Sequence, residues 1–197
     1  MVNILLAGEG SETTPFRIEN FTDFALFADP GNAATYWAAG VYTRLECDID
    51  MDPTLPDRQV YTTAVIAPDT DNTTDWFQGN TYDGVFDGNG HCILNLTIDS
   101  GGADTDYLSL IGNLGESATV KNLGLENVSI TGSSGSYFLG GLCGINYGYL
   151  NSCYVEGNIT GMDTTTNMGG LCGVNHTTGN IANCYTNVAL VSGANSH

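Results

Sequence analysis

At 197 residues the chain is the length of one domain and can bury a substantial core. Twenty-two acidic residues against four basic ones give a formal charge of −18, a surface that repels nucleic acid, anionic lipid and acidic polysaccharide and suits cations, neutral glycans or a salty medium. With 42% hydrophobic and 13% charged residues disorder is excluded; no run of about 18 apolar residues occurs, so no membrane insertion is expected.

In chain order, "MVNILLAG" is too short for a signal peptide and reads as an artificial start or the remnant of processing. A helix is predicted at about 20–29. Asn20 or Thr22 can cap it, and Phe21, Phe24 and Phe27 recur at three-residue steps along one apolar face. A membrane-surface helix would carry Lys and Arg on its polar face, and residues 18–29 contain neither. The face is therefore read as one that packs on protein.

"DTDNTTD" follows, in an Asp-rich loop at 69–75. Asp69, Asp71, Thr73 and Asp75 stand at alternate positions, as oxygen ligands do at the start of a calcium loop. The glycine and the distal Glu of an EF-hand are missing, so the expectation is an irregular Ca2+ loop or a solvated acidic one. In "DGNGH", Asp83, Asp87 and His91 offer the carboxylates that a glycosidase needs. The glycine spacing says turn first, with left-handed backbone expected across Asp87-Gly88-Asn89-Gly90.

From there the chain repeats. Ile93-Leu94-Asn95-Leu96 returns as Val120-Lys121-Asn122-Leu123, then Leu150-Asn151-Ser152-Cys153 and Ile181-Ala182-Asn183-Cys184, at spacings of 27, 30 and 31. A second column reads Leu110-Ile111-Gly112, Leu142-Cys143-Gly144, Leu171-Cys172-Gly173. Short β-rich runs, frequent turns and a period near 30 describe a solenoid in which each repeat is one coil. Leu96, Leu123, Cys153 and Cys184 are expected in one interior column. The cysteines then read as buried thiols filling an apolar ladder, and no C-x2-C pair or His spacing points to a metal site.

"GGLCGINYGYLNSCYVEG" and "GGLCGVNHTTGNIANCYTN" resemble the GLUG motif of bacterial secreted and cell-surface proteins. "GVFDGNGHCILNLTI" resembles the segment that often precedes those repeats, and "PFRIENFTDFALFA" with "RLECDIDMD" resembles their entry helix and first strand. The resemblance implies an all-β, right-handed parallel β-helix of the pectin-lyase-like kind with a short N-terminal capping helix. It also implies an extracellular or cell-surface location. One departure is Ser152, which interrupts an asparagine ladder through Asn122 and Asn183. On this reading residues 1–82 form the cap and first coils, 83–193 the repeat coils, and 194–197 a tail.

Strand alternation turns Tyr154 and Glu156 outward, with Tyr185 and Asn187 on the same face one coil on. Stacked tyrosines beside carboxylate and amide groups are a candidate site for a neutral sugar. Glu126 is expected over Glu156. A lyase of acidic glycans would need basic residues, and Lys121 alone lies in the coils. The reading is thus a non-catalytic surface or adhesion module presenting a flank to a glycan or a cell-surface protein. Its alternatives are a hydrolase of neutral polysaccharide using Asp83, Asp87 or another carboxylate pair, and a spacer or self-assembling fibre unit. Nothing resembling the helix follows the last coil, so further repeats beyond the C-terminus or end-to-end self-association are expected to cover it.

Overall fold

The computed structural model describes residues 5–71, 73–74, 76–102 and 105–193. Asp75 and the tail at 194–197 lie outside the described residues. The chain is a parallel β-solenoid. Its first sheet stacks Phe16–Ile18, Tyr42–Leu45, Val85–Asp87, Thr119–Lys121, Tyr149–Asn151 and Asn180–Ala182. The second stacks Ile49–Asp50, Cys92–Leu94 and Thr97–Asp99, Gly124–Gly132, Tyr154–Gly161 and Tyr185–Ser192. The third holds Ile111–Leu114, Cys143–Asn146 and Cys172–Asn175, and Tyr137–Gly140 pairs with Thr166–Gly169 beside it.

Parallel pairing places equivalent side chains directly over one another. Thr43, Phe86, Val120, Leu150 and Ile181 form an inward column on the first sheet. Ile98, Ile130, Ile159 and Leu190 form one on the second. Ile111, Cys143 and Cys172 form one on the third, as the repeat predicts. Burying these columns is the main stabilising term, at about 25 cal/mol per Å² of apolar surface removed from water.

The motif residue before each column explains itself at the corner between the first and second sheets. Asn122, Ser152 and Asn183 have φ of 53°, 56° and 55°, the left-handed region that asparagine tolerates better than most residues. One coil earlier the corner is Asp87-Gly88-Asn89-Gly90, where Asn89 and Gly90 take φ of 55° and 82°. Leu123, Cys153 and Cys184 follow their corners and share one column. Leu96 does not. Ile93 pairs with Leu125 and Thr97 with Ser129, which places Leu96 under Val128. Asn95 and Asn127, at φ of 59° and 55°, then stack, Asn127 Nδ2 donating a hydrogen bond to Asn95 Oδ1 at 2.7 Å. The spacing of 27 joined two different corners.

The helix spans Phe21–Ala28. Asn20 caps it, its side chain accepting from the Asp23 N–H at 3.0 Å while Asp23 accepts from the Glu19 N–H at 3.0 Å. Phe24 and Phe27 are fully buried, but Phe21 lies partly exposed under the Arg58 guanidinium, 4.0 Å from its ring centre. A turn at Pro30–Asn32 and a short helix Ala33–Tyr36 complete this end. The Phe27 ring meets Tyr82 at 6.0 Å and Phe86 at 5.1 Å, joining the helix to the first coils.

Cys143 and Cys153 are buried, whereas Cys172 and Cys184, in the last described coil, are partly exposed. Brief alkylation of the folded protein should leave Cys143 and Cys153 unmodified, and denaturation should expose both. Peptide mapping checks this; native labelling of Cys153 would contradict its interior place.

Asp87 supports a second test. Burial pushes its carboxyl up, but bonds from the Asn122 amide and the Asn89 N–H, with the Lys121 ammonium, outweigh that and hold it below the usual range. A depressed folded value contributes stability above the unfolded value of about 4, lost as pH falls through the folded value. Asp87→Asn should therefore be less stable than the parent at pH 7, with the gap closing below about pH 4. Urea midpoints at both pH values measure it; a gap unchanged by acid would refute the assignment.

Candidate functional site

The outward flank of the second sheet brings together the predicted tyrosines. Tyr154 and Tyr185 stack with centroids 5.1 Å apart and planes 2° from parallel, and Glu156 pairs with Asn187. The Tyr154 ring lies over Gly124, where a Cβ would come within 2.5 Å of it. Its hydroxyl donates to Glu126 Oε1 at 2.5 Å and meets Cys92 Sγ at 3.1 Å. These two bonds push the phenol up. An extra residue on Gly124–Gly132 shifts the register between Val155 and Gly157, so both Glu126 and Asn127 stand opposite Glu156. The flank is thus a ring pair whose inner hydroxyl is already used.

Asp69 and Asp71 each organise their own loop. Asp69 Oδ1 accepts from the Thr70 and Gln78 N–H groups, both at 2.8 Å, and Asp71 Oδ1 accepts from the Thr73 N–H at 2.8 Å. Among the described residues no three His, Cys, Asp or Glu side chains converge as a metal ion requires. Asp83 and Asp87 do not form a pair. Asp87 is held by Asn122, Asn89 and Lys121, whereas Asp83 accepts from the Thr81 hydroxyl at 2.6 Å in a cleft. His91 turns to Asp48, 3.1 Å away.

That cleft, of about 1160 Å³, lies across the outer face of the third sheet. Its floor is the column Asn113, Ile145 and Val174, two residues beyond Ile111, Cys143 and Cys172 on the same strands. Phe77 meets Tyr107 edge-on at 5.2 Å, Tyr107 stacks on Phe138 at 4.7 Å, and Tyr147 packs on His176 at 4.4 Å. Trp76 stands at the rim, 80% exposed. Asp83 and Glu116 supply carboxylates, and no Lys or Arg lines the space. Asn113 is 5% exposed and its Oδ1 has no partner among the described residues.

The wall is built on strained backbone. Tyr107 and Phe138 have φ of 58° and 63°, and the next coil places Asn167 there at 57°. Asparagine tolerates this conformation; a bulky aromatic residue adopts it at a cost of about 1–3 kcal/mol, and such strain clusters at ligand sites. Glycine is required beneath: a Cβ on Gly144 would lie 3.0 Å from Tyr107 Cα and 3.1 Å from the Phe138 carbonyl. Burial, with the Asp69 and Asp106 carboxylates nearby, pushes the Tyr107 phenol up, so it stays neutral. Sequence reasoning missed this cleft. The available signal was the third-sheet repeat followed four to five residues back, to the column Tyr107, Phe138, Asn167.

No protein-family model matches the chain. Over 158 residues, 78% of this chain, it is 31% identical to a protein of Evansella cellulosilytica provisionally named a Gly-rich membrane protein, of which it covers 16%. Over 156 residues, 77% of this chain, it is 30% identical to Halomucin of Haloquadratum walsbyi, of which it covers 2%. The chain therefore spans less than a fifth of either relative. No helix among the described residues is long and apolar enough to cross a membrane. Among solved structures it resembles a Bacteroides ovatus protein provisionally named an immunoglobulin A1 protease, with a TM-score of 0.52 and 22% identity over 92% of this chain and 50% of that one. At that identity the likeness establishes the solenoid fold alone.

Proposed function

We propose that this chain is a surface-associated, non-catalytic β-solenoid module that binds a neutral glycan in the aromatic cleft of its third sheet. The observation that carries the reading is the strained pair Tyr107 and Phe138, whose rings stack along the wall at 4.7 Å. The buried Tyr107 backs Phe138, and the partly exposed Phe138 and the 80% exposed Trp76 offer ring faces that match the apolar faces of sugars, while the buried Asn113 Oδ1 on the floor offers an acceptor to a hydroxyl. The −18 charge and the absence of Lys and Arg from the lining disfavour acidic chains. Surface placement is supported by the names of the membrane and mucin-like relatives.

Calorimetric titration with cello-, manno- and chito-hexaoses beside hexagalacturonate tests this. One neutral hexaose should bind, hexagalacturonate should not, and the exposed Trp76→Ala should weaken binding roughly tenfold, about 1.4 kcal/mol. Binding lost with Tyr185→Ala but kept with Trp76→Ala would move the site to the second-sheet flank. Asp83 and Glu116 lining the same cleft favour hydrolysis as a second reading. Products in the titration mixture, absent with Glu116→Gln, would establish it.

A further inference from the structure

One end of the third-sheet cleft gathers hydrogen-bond acceptors. Asp83 is fixed there: its N–H donates to the Trp37 carbonyl at 2.8 Å, and its Oδ2 accepts from the Thr81 hydroxyl at 2.6 Å. Its Oδ1 lies over Gly115, where any Cβ would overlap it, so only glycine lets the carboxylate sit at this place. Glu116 follows and is exposed. Asn113, two residues before Gly115, accepts from the Tyr82 N–H through its carbonyl at 3.0 Å. Its side chain is buried with Oδ1 unpartnered among the described residues. The Tyr147 N–H of the next coil donates to the Leu114 carbonyl at 2.9 Å, so described chain flanks this end of the cleft on both sides.

No cation of the protein serves these acceptors. Arg17 pairs with Glu19 at 3.2 Å, Arg44 with Glu46 at 2.6 Å and Lys121 with Asp87 at 3.3 Å, while Arg58 lies over the Phe21 ring. Those are all four basic residues of the chain. A sugar hydroxyl both donates and accepts, whereas a protonated amine donates three bonds and accepts none. Two carboxylates and an unpartnered amide oxygen match the amine. Exposed Trp76 and partly exposed Phe138, on the same cleft, add the negative ring faces that attract a cation.

We infer that the end of the cleft formed by Asp83, Glu116 and Asn113 is a subsite for a protonated amine, so that the bound glycan carries unacetylated amino sugars. This rests on glycan binding in the cleft and narrows the ligand. Acetylation removes the charge and leaves a single N–H donor. Acetylated and free amino-sugar chains of equal length therefore separate recognition of the amine from stacking on the rings.

Calorimetric titration of the full chain compares glucosamine hexaose with chitohexaose at mildly acidic pH, where the free amines are protonated. Hexalysine serves as a cation without sugar rings. Glucosamine hexaose should bind one per chain, about tenfold or more tighter than either of the others. Asp83→Asn and Glu116→Gln should each cut that preference to about threefold or less. Glu116 is exposed, so its variant decides the matter even if Asp83→Asn fails to fold. Equal affinities for the two hexaoses would overturn the inference and leave the neutral-glycan reading standing; no binding of any hexaose would overturn both. Hexalysine binding as tightly as the sugar, or a preference undiminished in Glu116→Gln, would assign the attraction to the −18 surface as a whole and overturn the subsite.

Discussion

Phe27→Ala is expected to cost about 3–5 kcal/mol, the range for removing a fully buried aromatic ring. Phe27 is at the centre of the N-terminal core, its ring meeting Phe24 at 6.3 Å, Tyr36 at 6.4 Å, Tyr82 at 6.0 Å and Phe86 at 5.1 Å. The cavity would be lined by rings that are themselves fixed. Tyr36 is bound through its hydroxyl by the Leu6 N–H, and the Trp37 indole is bound to the Phe27 carbonyl, so collapse is limited. Phe21→Ala, three residues short of Phe24 on the same helix, should cost far less because that ring is partly exposed. Urea midpoints at unchanged m-value measure both. Equal costs would mean that the helix packs by a different face.

Asn122→Val should cost about 3 kcal/mol, the sum of two separable terms. A β-branched residue at φ 53° costs about 1–2 kcal/mol, and the hydrogen bond from Asn122 Nδ2 to the Asp87 carboxylate at 3.0 Å contributes about 1.5–3 kcal/mol. Asn122→Gly keeps the conformation and loses only the bond, so it should recover the first term. If glycine is no better than valine, the corner is not what the asparagine provides.

The solenoid was legible because parallel stacking forces like residues into like positions, and the Ile111, Cys143, Cys172 column was read correctly from three glycine-flanked steps. The corner asparagines misled at one place. Asn95 and Asn122 both precede a leucine, yet they turn different corners, and only the pairing of Ile93 with Leu125 tells them apart. The bulge at Asn127 has no sequence mark either, and it sets Asn127 beside Glu126 opposite Glu156. The cleft was illegible for a related reason. Its walls come from a loop, from aromatic corners where asparagine would be the expected residue, and from floor positions that alternation, counted from Ile111, Cys143 and Cys172 two residues back, labels as interior.

The inter-coil hydrogen bonds of all three sheets run along the stacking direction. A pull on the two ends of such a stack therefore loads the bonds between one pair of coils at a time, like opening a zip, and does not share the load as sliding strands would. Each coil set free would pay out a length of roughly 100 Å, at about 3.4 Å for each of some 30 residues.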